Sequence, residues 1–501
     1  MTFGTLMGAI DSSIINVALP QIQASLGVTV TEVTWVSTAY LISLSLIMPL
    51  TAWLGTRLGR KNVYQACLLI FTGASVLAGL SSSLSSLLAA RFIQGAGAGA
   101  LQPTEQAILR ETFPVEEQGL AMGLYGLAVM VGPAVGPTFG GWLTDNFGWR
   151  WIFFINLPIG IIGWWMVRNN VPEPAYIRAQ RTNIDGVGIG LLSVGLCSLL
   201  VMLEQGNQWD WFNSTAVWVL SGLAMACLAS FIVWELWGTR TPAVDLRILK
   251  NASFAAGTTL GGMLGVVLFG ALFLLPLFLE DVLGYDATMS GLALMPRSLV
   301  MLVMMPFTGL LYNALGPKVL IGSGFLVTSW SMYAMGQFTA ASDPHQVLIP
   351  QVVSGLGFAL IFVALSTTTL AGIPRERMSA ATGLYNLVRQ LGGSFGTAIF
   401  ATMLENDTQR QHAYLAVNAN LSHAPFQQFY GAMRSFFLSQ GSAQASQQSL
   451  ALVNGIVSQQ ASVLAFEHVF MLVAVLLLVP FPLLWLLKPA VRRSDAAPVL
   501  E

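Results

Sequence analysis

The chain reads as an all-α polytopic membrane protein: two parallel six-helix bundles with two extra central helices, fourteen transmembrane helices in total. Three observations predict this. Of 501 residues, 55% are hydrophobic and only 9% charged, and mean hydropathy is +0.69. A soluble domain carries about 25% charged residues, so most of this surface faces lipid. The apolar residues gather into stretches close to the roughly 20 residues a membrane helix needs. Finally, the second half of the chain repeats blocks of the first in the same order.

The first six spans fall at about 1–20, 33–53, 63–81, 84–108, 119–141 and 151–168, giving an N-terminal six-helix bundle over 1–168. Spans near 185–204 and 214–236 form a two-helix insertion over 185–236. The last six, at about 253–278, 287–312, 318–338, 347–372, 383–404 and 464–487, make the C-terminal bundle over 253–487. An even number of crossings puts both termini on one side. Sixteen of the 22 Lys and Arg residues lie in loops on that side, three (Arg150, Arg410, Arg434) on the other, and Arg91, Arg297 and Arg389 inside helices. The excess of basic residues makes the terminal side cytoplasmic. No cleavable signal peptide is visible. Asp11 stands ten residues from Met1, which a start codon placed too late or a very short cytoplasmic leader would explain.

The repeat is carried by three blocks. Residues 114–136 match 374–396 at an offset of 260, pairing Pro114 with Pro374, Gly123-Leu124-Tyr125 with Gly383-Leu384-Tyr385, and Gly132 and Gly136 with Gly392 and Gly396. The run AWLGTRLGRK (52–61) matches GLLYNALGPK (309–318) at an offset of 257, and QGAGAGAL (94–101) is similar to SGLGFAL (354–360). Both copies run in the same orientation. Such repeats place a substrate site at their interface near the bilayer midplane, open alternately to each side.

Several function classes drop out. A net charge of -1 gives no electrostatic footing on nucleic acid. Four histidines and three cysteines are too few and scattered for a metal site, and Cys67, Cys197 and Cys227 read as packing residues. A membrane-embedded enzyme would show a His/Asp/Glu cluster at one interface, and a receptor would carry a soluble sensing domain; neither pattern occurs. No GxxxxGK[ST] loop supports an ATP-driven pump. The chain is therefore read as a transporter, not an enzyme, needing no cofactor.

Two features carry chemistry. Asp11 is an ionisable residue inside the first apolar segment, where a charged carboxylate costs on the order of 3 kcal/mol. Burial favours its neutral form and a nearby arginine its charged form, so such a group can load and release a proton. A structural hydrogen bond to a neighbouring helix is the other reading. The second feature is the series Gly123, Gly132, Gly136-Pro137 and Gly140-Gly141 in one apolar segment. Each glycine costs roughly 1 kcal/mol in a helix interior against alanine, and in a membrane the compensating use is close backbone approach between helices.

DSSIINVALP (11–20), AWLGTRLGRK (52–61), RFIQGAGAGALQP (91–103), the glycine series and GWRWIFFINLPIG (148–160) together resemble the major facilitator superfamily. The resemblance is strongest to its fourteen-helix drug:proton antiporter branch and, within that, to the EmrB-type multidrug exporters. It runs from about Asp11 to the last helix and implies the major facilitator fold. It implies proton coupling through Asp11, with Arg91 as its electrostatic partner. It implies a cytoplasmic gating loop with Arg57, Gly59, Arg60 and Lys61; here Ala52 and Thr56 replace the usual Gly and Asp, which removes the usual charge relay. Every fixed position of the antiporter pattern matches at Gly123, Gly132, Gly136, Pro137, Gly140 and Gly141.

Gln94, Arg297 and Arg389 are candidate cavity residues, with structural pairing expected for both of those arginines. Glu105 reads as a solvated residue near a helix end, and Trp149 and Trp151 as an interfacial aromatic belt. Residues 405–462 form an outer loop with helical stretches near 426–438 and 447–462; self-packing against the outer mouth is one reading. A periplasmic membrane-fusion adaptor and an outer-membrane channel are partners implied by the resemblance alone. The expected function is proton-driven export of lipophilic or amphipathic drugs and toxic compounds across the bacterial inner membrane, conferring antibiotic resistance. The alternative is export of one metabolite, such as a siderophore or lipid precursor.

Overall fold

Helices account for all the regular structure among the described residues, which in this computed structural model are 2–114, 116–172, 185–239, 241–418, 424–440, 442 and 444–488. The first bundle comprises α1 (Thr2–Leu26), α2 (Val30–Leu58), α3 (Arg60–Gly79), α4 (Leu84–Gly99) continued by α5 (Leu101–Thr112), α6 (Gln118–Phe147), and α7 (Trp151–Phe154) continued by α8 (Asn156–Asn170). The insertion is α9 (Gly186–Gln205) and α10 (Thr215–Val233). The second bundle holds α11 (Ala252–Leu277), α12 (Ala287–Leu315), α13 (Pro317–Met335), α14 (Pro344–Thr369), α15 (Met378–Asn418) and α17 (Ala445–Leu476), with α16 (Ala424–Ser439) between the last two.

Helix is found in all fourteen expected spans, although in the last, 464–487, the α-helix stops at Leu476 and turns lead into a 3-10 helix over Phe481–Leu486. By length and composition, 11 helices among the described residues suffice to cross a membrane. The rest are α4–α5, broken at Ala100, and the more polar α13 and α15. Over 405–462 the expected helical stretches near 426–438 and 447–462 are present as α16 and the first part of α17; what differs is that α15 continues unbroken to Asn418 and α17 runs on from Ala445 into the last span. Glutamine, serine and alanine there lower hydropathy without breaking a helix, because none of them interrupts the backbone ladder as proline does.

Turn chemistry sets the bundle ends. Thr29 and Ser83 close capping boxes at the starts of α2 and α4. Gly59 (φ 85°) and Gly316 (φ 77°) supply the left-handed turns at equivalent points of the two halves, after α2 and α12. The end of the molecule holding these turns is called the near end below.

The glycine series does two different jobs. Gly132, Gly136 and Gly140 lie on α1: a Cβ at Gly132 would strike the Ala9 carbonyl, at Gly136 it would sit 2.7 Å from Ser13, and at Gly140 2.6 Å from Ile14. Gly123 instead crosses to the other half, where a Cβ would be 2.6 Å from the Met305 carbonyl on α12. Its repeat mate Gly383 on α15 makes the matching contact, 2.6 Å from the Met48 carbonyl on α2. The halves thus meet at the near end along two related seams, α6 on α12 and α15 on α2, each set beside a proline (Pro306, Pro49).

Overpacking a seam of this kind costs about 1–3 kcal/mol. Gly132→Val is expected to lower the thermal unfolding temperature of the purified protein by several degrees. Gly141→Ala, whose Cβ would meet Val17 at an ordinary 3.6 Å, is expected to leave it unchanged. Equal effects from both substitutions would remove the packing explanation.

Candidate functional site: a buried carboxylate network and a near-end latch

Asp11 lies on the face of α1 turned into the first bundle and is 2% exposed. Arg91 on α4 is fully buried, and its Nη1 donates to Asp11 Oδ2 at 2.6 Å. The other carboxylate oxygen accepts from Gln94 Nε2 at 2.8 Å and from Asn156 Nδ2 on α8 at 3.0 Å. Arg91 Nη1 also reaches Gln94 Oε1 at 2.8 Å, and its Nε donates to the Val36 carbonyl of α2 at 3.2 Å. Ser75 of α3 accepts from Asn156 at 3.0 Å and from Gln94 at 3.3 Å, and donates to the Phe153 carbonyl at 2.8 Å. The guanidinium stacks on Tyr40, 4.3 Å from the ring centroid. One ion pair thus ties together α1, α2, α3, α4, α7 and α8.

The arrangement has a chemical consequence. The carboxylate takes three donors, one of them the Arg91 cation. Protonating it removes the charge that compensates Arg91 and withdraws an acceptor from Gln94 and Asn156. Sequence reasoning brought Asp11, Arg91 and Gln94 forward but missed Ser75, Asn156 and Tyr40. Asn156 alone left a signal, as an amide inside the apolar run IFFINLPIG, where an unpaired amide would be costly.

The gating-loop residues gather at the near end. Arg60 is 4% exposed and pairs with Glu111 at the end of α5. Its Nη2 donates to the Arg375 carbonyl of the second half at 3.1 Å. Lys61 Nζ donates to the Arg168 carbonyl at 2.8 Å, and Arg57 packs over Trp53 at 5.5 Å. On the other seam Asn313 Nδ2 donates to the Glu116 carbonyl at 2.7 Å. Thr56 cannot supply the carboxylate usual at its position; Glu111 supplies one to Arg60 from a different helix.

Three expectations need correction. Glu105 is fully buried, its Oε2 accepting from Thr5 Oγ1 at 2.6 Å and lying 3.5 Å from the Tyr64 hydroxyl, because α5 turns this face toward α1 and α3. Trp149 is 3% exposed and donates to Ser25 Oγ at 2.8 Å, so it fills the bundle end; Trp151, half exposed, keeps the interfacial character. Arg297 and Arg389 have no acidic partner among the described residues. Arg297 stacks on Phe358 at 5.0 Å; Arg389 stacks on Phe362 at 5.1 Å and donates to Gln102 at 3.1 Å and Asn386 at 3.0 Å. Pro137, half-buried on α6, faces Gly291 of α12 across the halves, where a Cβ on the glycine would meet it at 3.9 Å.

Breaking a buried ion pair by removing one partner costs about 3–5 kcal/mol, since the other charge is left uncompensated. Asp11→Asn is expected to destabilise the protein more than the double variant Asp11→Asn/Arg91→Gln relative to Arg91→Gln alone. A double-mutant cycle read by thermal unfolding checks this; strict additivity would mean the two groups do not act as a pair.

Comparison with known proteins identifies the family. Residues 1–397 match the family model described as Major Facilitator Superfamily. The chain is 34% identical to the multidrug export protein EmrB of Escherichia coli (strain K12) over 98% of its own length and 94% of the relative's. It is 34% identical to the fatty acid resistance protein FarB of Neisseria gonorrhoeae over 96% of this chain and 94% of that one. Among solved structures, the human organic anion transporter MFSD10 superposes with a TM-score of 0.61 over 96% of this chain and 97% of that chain; at 14% identity this likeness shows the fold alone. The chain belongs to the Major Facilitator Superfamily and, within it, to the EmrB-type transporters.

Proposed function

We propose that this protein is a proton-driven exporter of lipophilic or amphipathic compounds across the bacterial inner membrane, with both termini and the near end cytoplasmic. The observation that carries the reading is the Asp11–Arg91 pair, a titratable charge buried in a bundle of apolar helices. Relatives at 33–34% identity are named as multidrug export proteins, which supports the substrate class.

In this reading a proton from the periplasm neutralises Asp11 and frees Arg91. The hydrogen bonds that fix α1 against α4 and α8 weaken. Because α1 lies along the Gly132–Gly136–Gly140 face of α6, and α6 meets α12 through Gly123, a shift of α1 reaches the seam between the halves. Opening that seam breaks the Arg60–Arg375 and Asn313–Glu116 contacts and exposes the interface to the cytoplasm for substrate loading. Loss of the proton inward restores the closed near end. No residue forms a covalent bond with substrate, and the gradient supplies the energy.

The extension of α15, with α16 and α17, supports the adaptor reading. It exposes Tyr414 (69%), Val417 (70%) and Phe436 (51%) beyond the bundle, and a periplasmic adaptor leading to an outer-membrane channel would cover them.

Transport in sealed proteoliposomes under an imposed pH gradient tests the proposal. Gradient-driven movement of several lipophilic compounds is expected, and Asp11→Asn is expected to abolish the coupling while binding persists. Movement that ignores the gradient would reject proton coupling; coupled movement unchanged in the variant would remove Asp11 as the carrier.

A further inference from the structure

The inserted hairpin carries a groove on its lipid side that the transport cycle does not use. α10 buries Val217, Ala224 and Phe231, every seventh residue, so one narrow stripe packs inward and most of the remaining surface meets lipid. At its end the chain runs into a wider π-helical turn, Trp234–Gly238. Between this turn, the last residues of α10 and the start of α9 lies a groove of about 520 Å³ lined by Leu191, Ser230, Val233, Trp234, Trp237 and Gly238. Its size falls within the roughly 300–1,000 Å³ of sites that hold small molecules.

The groove has a fixed wall and an interfacial rim. Trp234 Nε1 donates to both carboxylate oxygens of Asp185, at 2.9 and 3.1 Å, which holds the indole in place. A Cβ on Gly238 would lie 2.6 Å from that ring, so the glycine leaves the wall undisturbed. Trp237, 75% exposed, stands out from the same turn. Tryptophans at a helix end suit the level of the lipid head groups.

The exposed charge at this end of the groove is positive. Arg247, in the 3-10 turn Leu246–Lys250, donates from Nη2 to the Leu236 carbonyl at 3.4 Å, which brings its guanidinium to the turn that bears the two tryptophans. Arg247 and Lys250 are both exposed, and neither enters an ion pair among the described residues. The neighbouring acids are engaged elsewhere: Asp245 pairs with Arg377 at 3.8 Å, and Glu235 is buried and accepts from the Val244 backbone amide at 3.3 Å. Arg377 also fixes the level, because it lies two residues from Arg375, whose carbonyl holds Arg60 at the near end.

An apolar groove facing hydrocarbon and capped by cations at head-group depth selects its occupant by chemistry. The hydrocarbon takes an acyl chain, and the guanidinium and ammonium donate charge-assisted hydrogen bonds to a phosphate. A zwitterionic head group carries its own ammonium, which meets Arg247 and Lys250 with like charge and gains less.

We propose that the groove between α9 and the Trp234–Gly238 turn binds an anionic phospholipid, with one acyl chain along the groove and the phosphate head group at Arg247 and Lys250. The site is independent of the compound transported.

The test uses phosphatidylglycerol and phosphatidylcholine that share one diazirine-bearing acyl chain. Each is added in trace amount to phosphatidylcholine nanodiscs holding the full chain, and the labelled peptides are mapped after illumination. Labelling of 229–238 is expected to be about fivefold or more higher with the phosphatidylglycerol probe, as one or two basic residues at a membrane surface provide. The double variant Arg247→Gln/Lys250→Gln should remove that preference while labelling of other lipid-facing helices stays unchanged. Arg247→Lys should keep the preference, since charge rather than the planar fork meets the phosphate. Ser230→Trp, which fills the groove, should lower labelling of this segment by both probes. Equal labelling of 229–238 by the two probes, a preference unchanged in the double variant, or labelling unchanged in Ser230→Trp would overturn the site.

Discussion

A carboxylate placed inside a lipid-facing bundle must be compensated, and the first half of this protein is organised around meeting that demand. Asp11 is held by one cation and two amides drawn from α4 and α8, and Arg91 in turn takes a carbonyl from α2 and a ring face from Tyr40. Donors to a buried charge come from several directions, so the network ties together most helices in the bundle. Arg91 Nη2 and Asn156 Oδ1 stay without a partner, so the carboxylate, not complete pairing of its neighbours, is what joins these helices.

On its other face α1 packs closely along α6, whose glycines make room for the Ala9 carbonyl and for the Ser13 and Ile14 side chains. Gln21 Nε2 adds one directional bond, to the Thr144 carbonyl at 3.2 Å. Gly123 then carries α6 across to α12. The equivalent helices of the second half use the same device, with Gly392 on Gly262 and Gly396 on Val266. The second half carries no counterpart of the Asp11–Arg91 ion pair among the described residues. The frame is therefore duplicated, while the buried ion pair belongs to one half.

Residue pattern made the frame legible and left the polar interior largely hidden. Hydropathy located all fourteen helical spans, and the glycine spacing announced the seams, because both signals are local in the sequence. The Asp11–Arg91 pair was reached through resemblance, since 80 residues separate the partners and nothing local joins them. Glu105 shows why the interior is harder: near a helix end its sequence neighbourhood looks solvated, yet a turn of α5 buries it against Thr5 and Tyr64. Arg297 and Arg389 were expected to pair because lone buried arginines are costly. Their ring stacking and neutral amides depend on which helices meet, and that is a tertiary property. Thr56, read as a missing relay, was offset by Glu111 from a helix some fifty positions later.

The two inserted helices illustrate how polar and apolar contacts divide mechanical roles. Near one end of α9, Ser394 of α15 donates to Glu204; just beyond it, Trp211 donates to Thr402 and Asn207 to Glu405, at 2.8–3.1 Å. Directional bonds of this kind hold register, so at that end the insertion is tied to α15. Elsewhere Leu192, Leu196 and Phe231 pack with Met48 and Leu50 of α2 and with Leu387 of α15. Apolar contact with α2 fixes no register and tolerates sliding as long as area is kept. The insertion therefore lies over the α2–α15 seam, tied by directional bonds to the second half and by apolar contact to the first.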